Sequence, residues 1–143
     1  MSESRVELGP LVLLAEDDRD SREMYALALE LAGFRTAQAV SGSEALERVA
    51  ELSPDVIVTD LNLPGVDGYE LCARLKGDPR TSRTPVVALT GCSFGDELDR
   101  AHRAGCARVL VKPFPPDHLG PELAQVLAAS GSVRRPSVQS SPN

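Results

Sequence analysis

Glu16, Asp17, Asp60, Thr90 and Lys112 each stand at or just past the end of a short apolar run. Leu11–Ala15 leads into Glu16-Asp17-Asp18, Val56–Thr59 into Asp60, Val86–Leu89 into Thr90, and Val109–Val111 into Lys112-Pro113. Continuous apolar runs of this length, with helix-like segments between them, read as parallel strands buried on both faces. In an open parallel sheet, ligands sit beyond the carboxyl ends of the strands, where strand order reverses. The pattern therefore delivers carboxylates, a hydroxyl and an ammonium to one sheet edge. That set suits a divalent cation and a phosphoryl group.

Asp60 is alone at its strand end, where its carboxylate can face the crevice. A carboxylate attacks phosphorus when a metal and a cation neutralise the charge crowding it. Glu16, Asp17 and Asp60 supply three negative charges, and Mg²⁺ with Lys112 supplies three positive ones. Without the metal the like charges repel, and at least one carboxylate pKa is expected to rise. Oxygen-only donors favour Mg²⁺ over Zn²⁺. The backbone carbonyl of Asn62, two residues past Asp60, is placed to complete an octahedron. Phosphoryl transfer needs positioning and charge stabilisation, which Lys112 and the Thr90 hydroxyl would supply. Taken singly, an acidic pair, a threonine or a lysine at a strand end is ordinary. Four strand ends in this chain order carry the reading.

The intervening segments must hold those ends in place. Asp18 or Asp20 can cap a first helix whose apolar positions Met24, Leu27, Ala28 and Leu31 recur at helical spacing, with Gly33 closing it. Residues 34–40 form the weakest strand by pattern. Ser41 or Ser43 starts a second helix (Ala45, Leu46, Val49, Leu52) that stops before Ser53-Pro54. Asp67 caps a third, turning Leu71, Cys72 and Leu75 inward and ending near Gly77-Asp78-Pro79. A short fourth helix runs through Leu98 and Ala101 to Gly105. In the last segment, Pro121 would break a helix begun at Pro116. A helix from Pro121 to Ala129 is therefore expected, with a separate turn before it and His118 exposed. Alternating strands and helices imply right-handed crossovers and a sheet covered on both faces.

A chain of 143 residues fits one domain with a short tail: a flexible extension over residues 1–9, a core over 10–129, and a disordered Ser/Pro/Arg-rich stretch over 130–143. The net charge of −6, with no basic stripe, argues against direct nucleic-acid binding. No apolar stretch is long enough to span a bilayer and no signal peptide is visible, so no membrane contact and a cytoplasmic location are expected. Cys72 and Cys106 read as small core hydrophobes in a reducing cytosol. Cys92 lies at the active edge, but nothing basic adjoins it to lower its pKa.

Glu16-Asp17, the Asp60–Gly68 segment (Asp-Leu-Asn-Leu-Pro-Gly-Val-Asp-Gly), Leu89-Thr90-Gly91 and Val111-Lys112-Pro113-Phe114 together resemble the receiver domain of bacterial two-component response regulators, of the single-domain chemotaxis type. The resemblance covers about Leu11 to Leu127. It implies an α/β, flavodoxin-like (βα)₅ fold with a doubly wound parallel sheet of strand order 2-1-3-4-5. It also implies that Asp60 accepts a phosphoryl group from a histidine kinase or phosphotransfer protein, that Glu16 and Asp17 hold Mg²⁺, and that Thr90 and Lys112 sense the phosphoryl group. The Lys112-Pro113 peptide is implied to be cis. A downstream protein partner is expected, its identity open.

Two features depart from the pattern. The switch position three residues before the lysine, usually Tyr or Phe, is Val109, which cannot make an aromatic swing. A broken last helix would weaken dimerisation through that face, giving a monomer or weak dimer. Cys92, two past Thr90, is neither acid nor amide and would orient water poorly, so a long-lived phosphoryl group is expected. The chain reads either as a single-domain regulator or as a receiver excised from a longer one. Two other functions compete. An aspartyl-phosphate hydrolase needs a second acid two residues after the nucleophile, and Asn62 stands there. A phosphorylation-independent scaffold of the same fold has only Val109 and the last helix in its favour.

Overall fold

The structure, a computed structural model, describes residues 9–91 and 95–130. Cys92, residues 1–8 of the extension expected over 1–9 and residues 131–143 of the tail expected over 130–143 lie outside the described residues. Five strands, β1 (Leu11–Ala15), β2 (Arg35–Ala39), β3 (Val56–Asp60), β4 (Val86–Thr90) and β5 (Arg108–Val111), alternate with five helices among those residues. The helices are α1 (Arg19–Leu31), α2 (Gly42–Leu52), α3 (Gly68–Gly77), α4 (Gly95–Ala104) and α5 (Pro116–Ser130). All strand pairs are parallel, in the order β2-β1-β3-β4-β5. This is the flavodoxin-like order expected, and the reversal point lies between β1 and β3.

The two-residue repeat of a strand sorts the core into two layers. Leu13, Ala15, Ile57, Val86 and Ala88 face α2, α3 and α4, meeting Val49, Leu71, Leu75 and Ala101. Val12, Leu14, Val56, Val58, Val87, Leu89 and Leu110 face the other way, onto Tyr25, Leu29, Leu119, Leu123 and Leu127 of α1 and α5. Each fully buried Leu or Ile contributes about 1.5–3 kcal/mol relative to exposure. The central strands are buried on both faces, which is why they read as unbroken apolar runs.

Side chains set the helix starts. Asp18 caps α1 by accepting from Ser21 N–H at 2.9 Å. Ser41 caps α2 by accepting from Glu44 N–H at 3.1 Å, while the Glu44 carboxylate accepts from Val40 N–H at 2.7 Å. Asp67 caps α3 through Glu70 N–H at 2.9 Å. Past α2, Ser53 takes the left-handed conformation (φ 50°) that ends the helix.

Three expectations need correction. In α1 the buried face is Tyr25, Ala26 and Leu29, while Met24, Leu27 and Leu31 are 45%, 58% and 80% exposed. The Tyr25 hydroxyl donates to Phe114 carbonyl at 2.9 Å, and Arg22 reaches back to the end of β1, so long-range polar contacts fix the roll of the helix. In α2, Ala45 and Val49 are buried but Leu52 points outward. The last helix is continuous from Pro116 to Ser130, with Pro121 inside it. Pro121 costs one backbone bond in the second turn. Leu119 and Gly120 bury on the preceding residues, and a Cβ on Gly120 would lie 2.9 Å from Ala32 Cβ. That close packing on the end of α1 outweighs the local preference to start at Pro121. The ground for expecting a weaker dimer face, a broken last helix, is thereby removed.

Candidate functional site

β1 and β3 are neighbours, and their carboxyl ends bring Glu16 and Asp60 side by side. Carboxylate oxygens of Glu16, Asp17 and Asp60 lie within 4.8 Å of one another. Glu16 is 2% exposed and Asp60 9%, whereas Asp17 faces solvent. Lys112, just past β5, reaches across: its Nζ donates to Asp60 Oδ2 at 2.7 Å and to Glu16 Oε1 at 2.9 Å. Three carboxylates against one ammonium leave a local excess of two negative charges, the charge of a divalent cation.

Each group is held from several sides. Glu16 N–H donates to Ala39 carbonyl at 3.0 Å, Arg22 Nη1 donates to Glu16 carbonyl at 2.9 Å, and Asp18 N–H donates to Glu16 Oε2 at 3.0 Å. Asp60 Oδ1 accepts from Asn62 N–H at 2.9 Å, and the Thr59 hydroxyl donates to the Asp60 carbonyl at 2.9 Å. Asn62 thus meets Asp60 through its amide hydrogen. Thr90 is 5% exposed at the end of β4, one strand over, and its carbonyl accepts from Lys112 N–H at 2.7 Å. The Lys112-Pro113 peptide is cis. Val109 is half-buried opposite Ala88 and packs into the layer under α3 and α4.

The titrations follow from this crowding. Burial raises the Glu16 pKa above the ordinary carboxylate value, and the nearby Asp60 charge adds to it; Asp18 N–H and Lys112 only partly offset the rise. Burial works against the Lys112 ammonium, but its bonds to Asp60 and Glu16 prevail and hold its pKa above the usual lysine value. The carboxylate whose pKa rises is Glu16, through burial first and the Asp60 charge second.

The loop after Asp60 is pinned by a close approach. A Cβ on Gly68 would lie 2.5 Å from Asp60 carbonyl oxygen and 2.7 Å from Leu61 Cα, and Gly68 N–H donates to Leu61 carbonyl at 3.1 Å. Gly68→Ala should push α3 off the Asp60 loop at a cost of about 1–3 kcal/mol, measured as a lower urea midpoint with an unchanged slope.

Sequence reasoning found Glu16, Asp17, Asp60, Thr90 and Lys112, and all stand at this edge. It missed Arg22, which fixes Glu16, and the Asp18 N–H. Neither leaves a spacing signal: Arg22 lies six residues on, in an ordinary helical segment.

Comparison with known proteins agrees with this geometry. The response regulator receiver domain family matches residues 12–124. The phosphate regulon transcriptional regulatory protein PhoB of Pseudomonas aeruginosa is 35% identical over 124 residues, which cover 87% of this chain and 54% of that protein. The transcriptional regulatory protein AfsQ1 of Streptomyces coelicolor is 38% identical over 104 residues, 73% of this chain and 45% of that one. The chain thus spans about half the length of these curated relatives. Among solved structures, the chemotaxis protein CheY4 of Vibrio cholerae superposes with TM-score 0.78 at 30% identity, covering 82% of this chain and 98% of that one. The receiver domain of Francisella response regulator 1452 gives TM-score 0.79 at 29% identity, covering 85% and 99%. With the doubly wound order, an acidic edge and a match over most of its length, the chain belongs to the response regulator receiver domain family of two-component signalling.

Proposed function

We propose that Asp60 is the phosphoacceptor of this receiver and that Glu16, Asp17, Asp60 and the Asn62 carbonyl hold Mg²⁺. The observation that carries the reading is Lys112 bonded to both buried carboxylates beside a third, an arrangement short of two positive charges. The donor set is all oxygen and partly open to solvent through Asp17, which fits a hard ion that keeps waters. When bound, Mg²⁺ would neutralise phosphoryl oxygens so that a carboxylate can approach phosphorus.

The chain's own groups do the rest. Asn62 N–H orients the Asp60 carboxylate by its bond to Oδ1. An Asp60 oxygen attacks in line, the O–P bond forms and the donor's P–N bond of a phosphohistidine breaks. Lys112, already at Asp60, donates to a phosphoryl oxygen, and Thr90 at the next strand end donates to another. The added charge of about −1.5 to −2 draws these two groups inward and alters the surface that a partner protein reads. With Asn62 in place of a second acid, turnover is confined to the domain's own phosphorylation and dephosphorylation.

The donor is a histidine kinase or phosphotransfer protein. An open groove of about 730 Å³ beside Lys112, lined by Ser21, Met24, Tyr25, Pro113, Phe114 and Pro116, is the surface on which we seat it. This also gives Met24, outward on α1, a use. Output passes to a protein partner rather than through direct nucleic-acid contact by this domain, whose chain carries a net charge of −6. No helix among the described residues is long and apolar enough to cross a membrane, and a cytoplasmic location accords with the kinase partner.

Intact mass after incubation with acetyl phosphate and Mg²⁺ tests the reading. Wild type should gain one phosphoryl group, and chelation of Mg²⁺ should prevent it; uptake that ignores Mg²⁺, or none with Mg²⁺ bound, rejects it. Asp17→Asn should weaken Mg²⁺ binding by about 10–100-fold in a Mg²⁺ titration, while the unfolding midpoint without metal stays near wild type, because Asp17 faces solvent.

A further inference from the structure

A pair of thiols lies in contact inside the α3–α4 layer, and the signalling chemistry makes no use of it. Cys72, in the middle of α3, is fully buried, and Cys106, in the turn between α4 and β5, is 6% exposed. Cys106 Sγ donates to Cys72 Sγ at 3.6 Å, across 34 residues of chain. Gly105, at φ 108°, has no side chain, and the Lys76 stem lies where its Cβ would be, 2.6 Å from Lys76 Cγ. Lys76 Nζ is tied to the carbonyls of Ser82 at 3.1 Å and Thr84 at 2.6 Å, so its charge stays near the thiols.

We propose that Cys72 and Cys106 form a reversible redox pair that a hydroperoxide converts to an intramolecular disulfide, clamping α3 to the head of β5. This goes beyond the phosphoacceptor reading and does not depend on it. The Cys106 hydrogen bond, with the Lys76 charge, lowers the Cys72 pKa despite burial, while the same bond raises that of Cys106. One thiol of the pair acts first, as the nucleophile. Its thiolate attacks one peroxide oxygen, the O–O bond breaks, and the departing alkoxide takes a proton and leaves as an alcohol. The second sulfur then attacks the sulfenic sulfur of the first, the S–O bond breaks, and hydroxide leaves with the second thiol's proton as water. Two thiols and one hydroperoxide yield one disulfide, one alcohol and one water, a two-electron oxidation. The sulfurs must close from 3.6 Å to about 2.0 Å. The cross-link would enclose β4 and α4, with Thr90 inside the closed loop.

The test uses the full chain with Cys92→Ser, which removes the third thiol and leaves both core cysteines in place. The three cysteines fall in three separate tryptic peptides, so the partners are read directly. After treatment with tert-butyl hydroperoxide and alkylation under denaturing conditions, the protein should lack two hydrogens and show a peptide joining Cys72 to Cys106. Its Tm should rise by on the order of 10 °C, because the bond restricts the unfolded chain, and dithiothreitol should reverse both changes. Full alkylation of both thiols overturns the proposal, as does a bond formed only in urea-unfolded protein, between two chains, or replaced by a sulfinic acid.

Discussion

Asp60→Asn is expected to take up no phosphoryl group from acetyl phosphate under conditions that load wild type completely. The substitution keeps shape, and the amide oxygen can still accept from Asn62 N–H. It removes the anionic oxygen that must bond to phosphorus, and an amide offers no comparable nucleophile at neutral pH. The expected fall is at least about 10³-fold in rate, in the range found when a nucleophile is deleted. Intact mass over a time course reads it directly. The local fold should survive, because Glu16 still pairs with Lys112 and the loop after Asp60 is still fixed through Gly68. Uptake by Asp60→Asn at the wild-type rate would move the acceptor elsewhere, and Asp17 would be the next carboxylate to change.

The sheet and its reactive edge were legible because of burial. β3 and β4 are buried at every position, so Val-Ile-Val-Thr and Val-Val-Ala-Leu appear as unbroken apolar runs, and a polar residue at their ends stands out. The caps at Asp18, Ser41 and Asp67 were legible for a local reason: each answers unpaired N–H groups within three residues. What failed was decided at long range. Met24, Leu27 and Leu31 look like the inner face of α1 by hydropathy, yet the Tyr25 hydroxyl bonded to Phe114 and the small Ala26 beneath it turn the helix the other way. Pro121 argues for a late start to α5, yet burying Leu119 and Gly120 against α1 pulls the helix back to Pro116. Arg22 holding the Glu16 carbonyl has no sequence signature at all.

Val109 stands where the family resemblance leads one to expect an aromatic residue. It sits opposite Ala88, in the layer under α3 and α4, where a short β-branched side chain fills its place without a hydroxyl to swing inward. The aromatic contacts between these helices belong instead to Tyr69. Its hydroxyl bonds to Glu97 of α4 and its ring carries Arg100 at 3.9 Å, joining the start of α3 to α4. α3 begins against the Asp60 carbonyl, so Tyr69 joins the helix that abuts the Asp60 loop to α4.

Lys112→Met carries the second large effect, and it separates charge from the apolar stem that methionine retains. In wild type the ammonium bonds to Asp60 at 2.7 Å and Glu16 at 2.9 Å, so its loss leaves two nearly buried carboxylates facing each other. Phosphorylation by acetyl phosphate should slow by about 10²–10³-fold, the cost of removing one charged donor from a developing transition state. Stability in metal-free buffer at pH 7 should fall by about 1–3 kcal/mol, less than for a fully buried pair because the Lys112 side chain is a quarter exposed. The pH dependence has a definite sign. Glu16 already has a folded pKa above its unfolded value, and without Lys112 it rises further. Such an acid binds its proton more tightly when folded, so its penalty is absent below the unfolded pKa and grows as pH climbs through the folded one. The deficit of Lys112→Met relative to wild type should therefore shrink as pH falls toward the unfolded glutamate pKa of about 4.3. Saturating Mg²⁺ at pH 7 should recover part of it by supplying the missing positive charge, while the rate stays low because no ammonium reaches the phosphoryl oxygen. Urea midpoints across pH, with and without Mg²⁺, check the first half, and the phosphorylation time course checks the second. A deficit that is flat in pH and indifferent to Mg²⁺ would mean that the Lys112 stem, rather than its charge, matters to the fold.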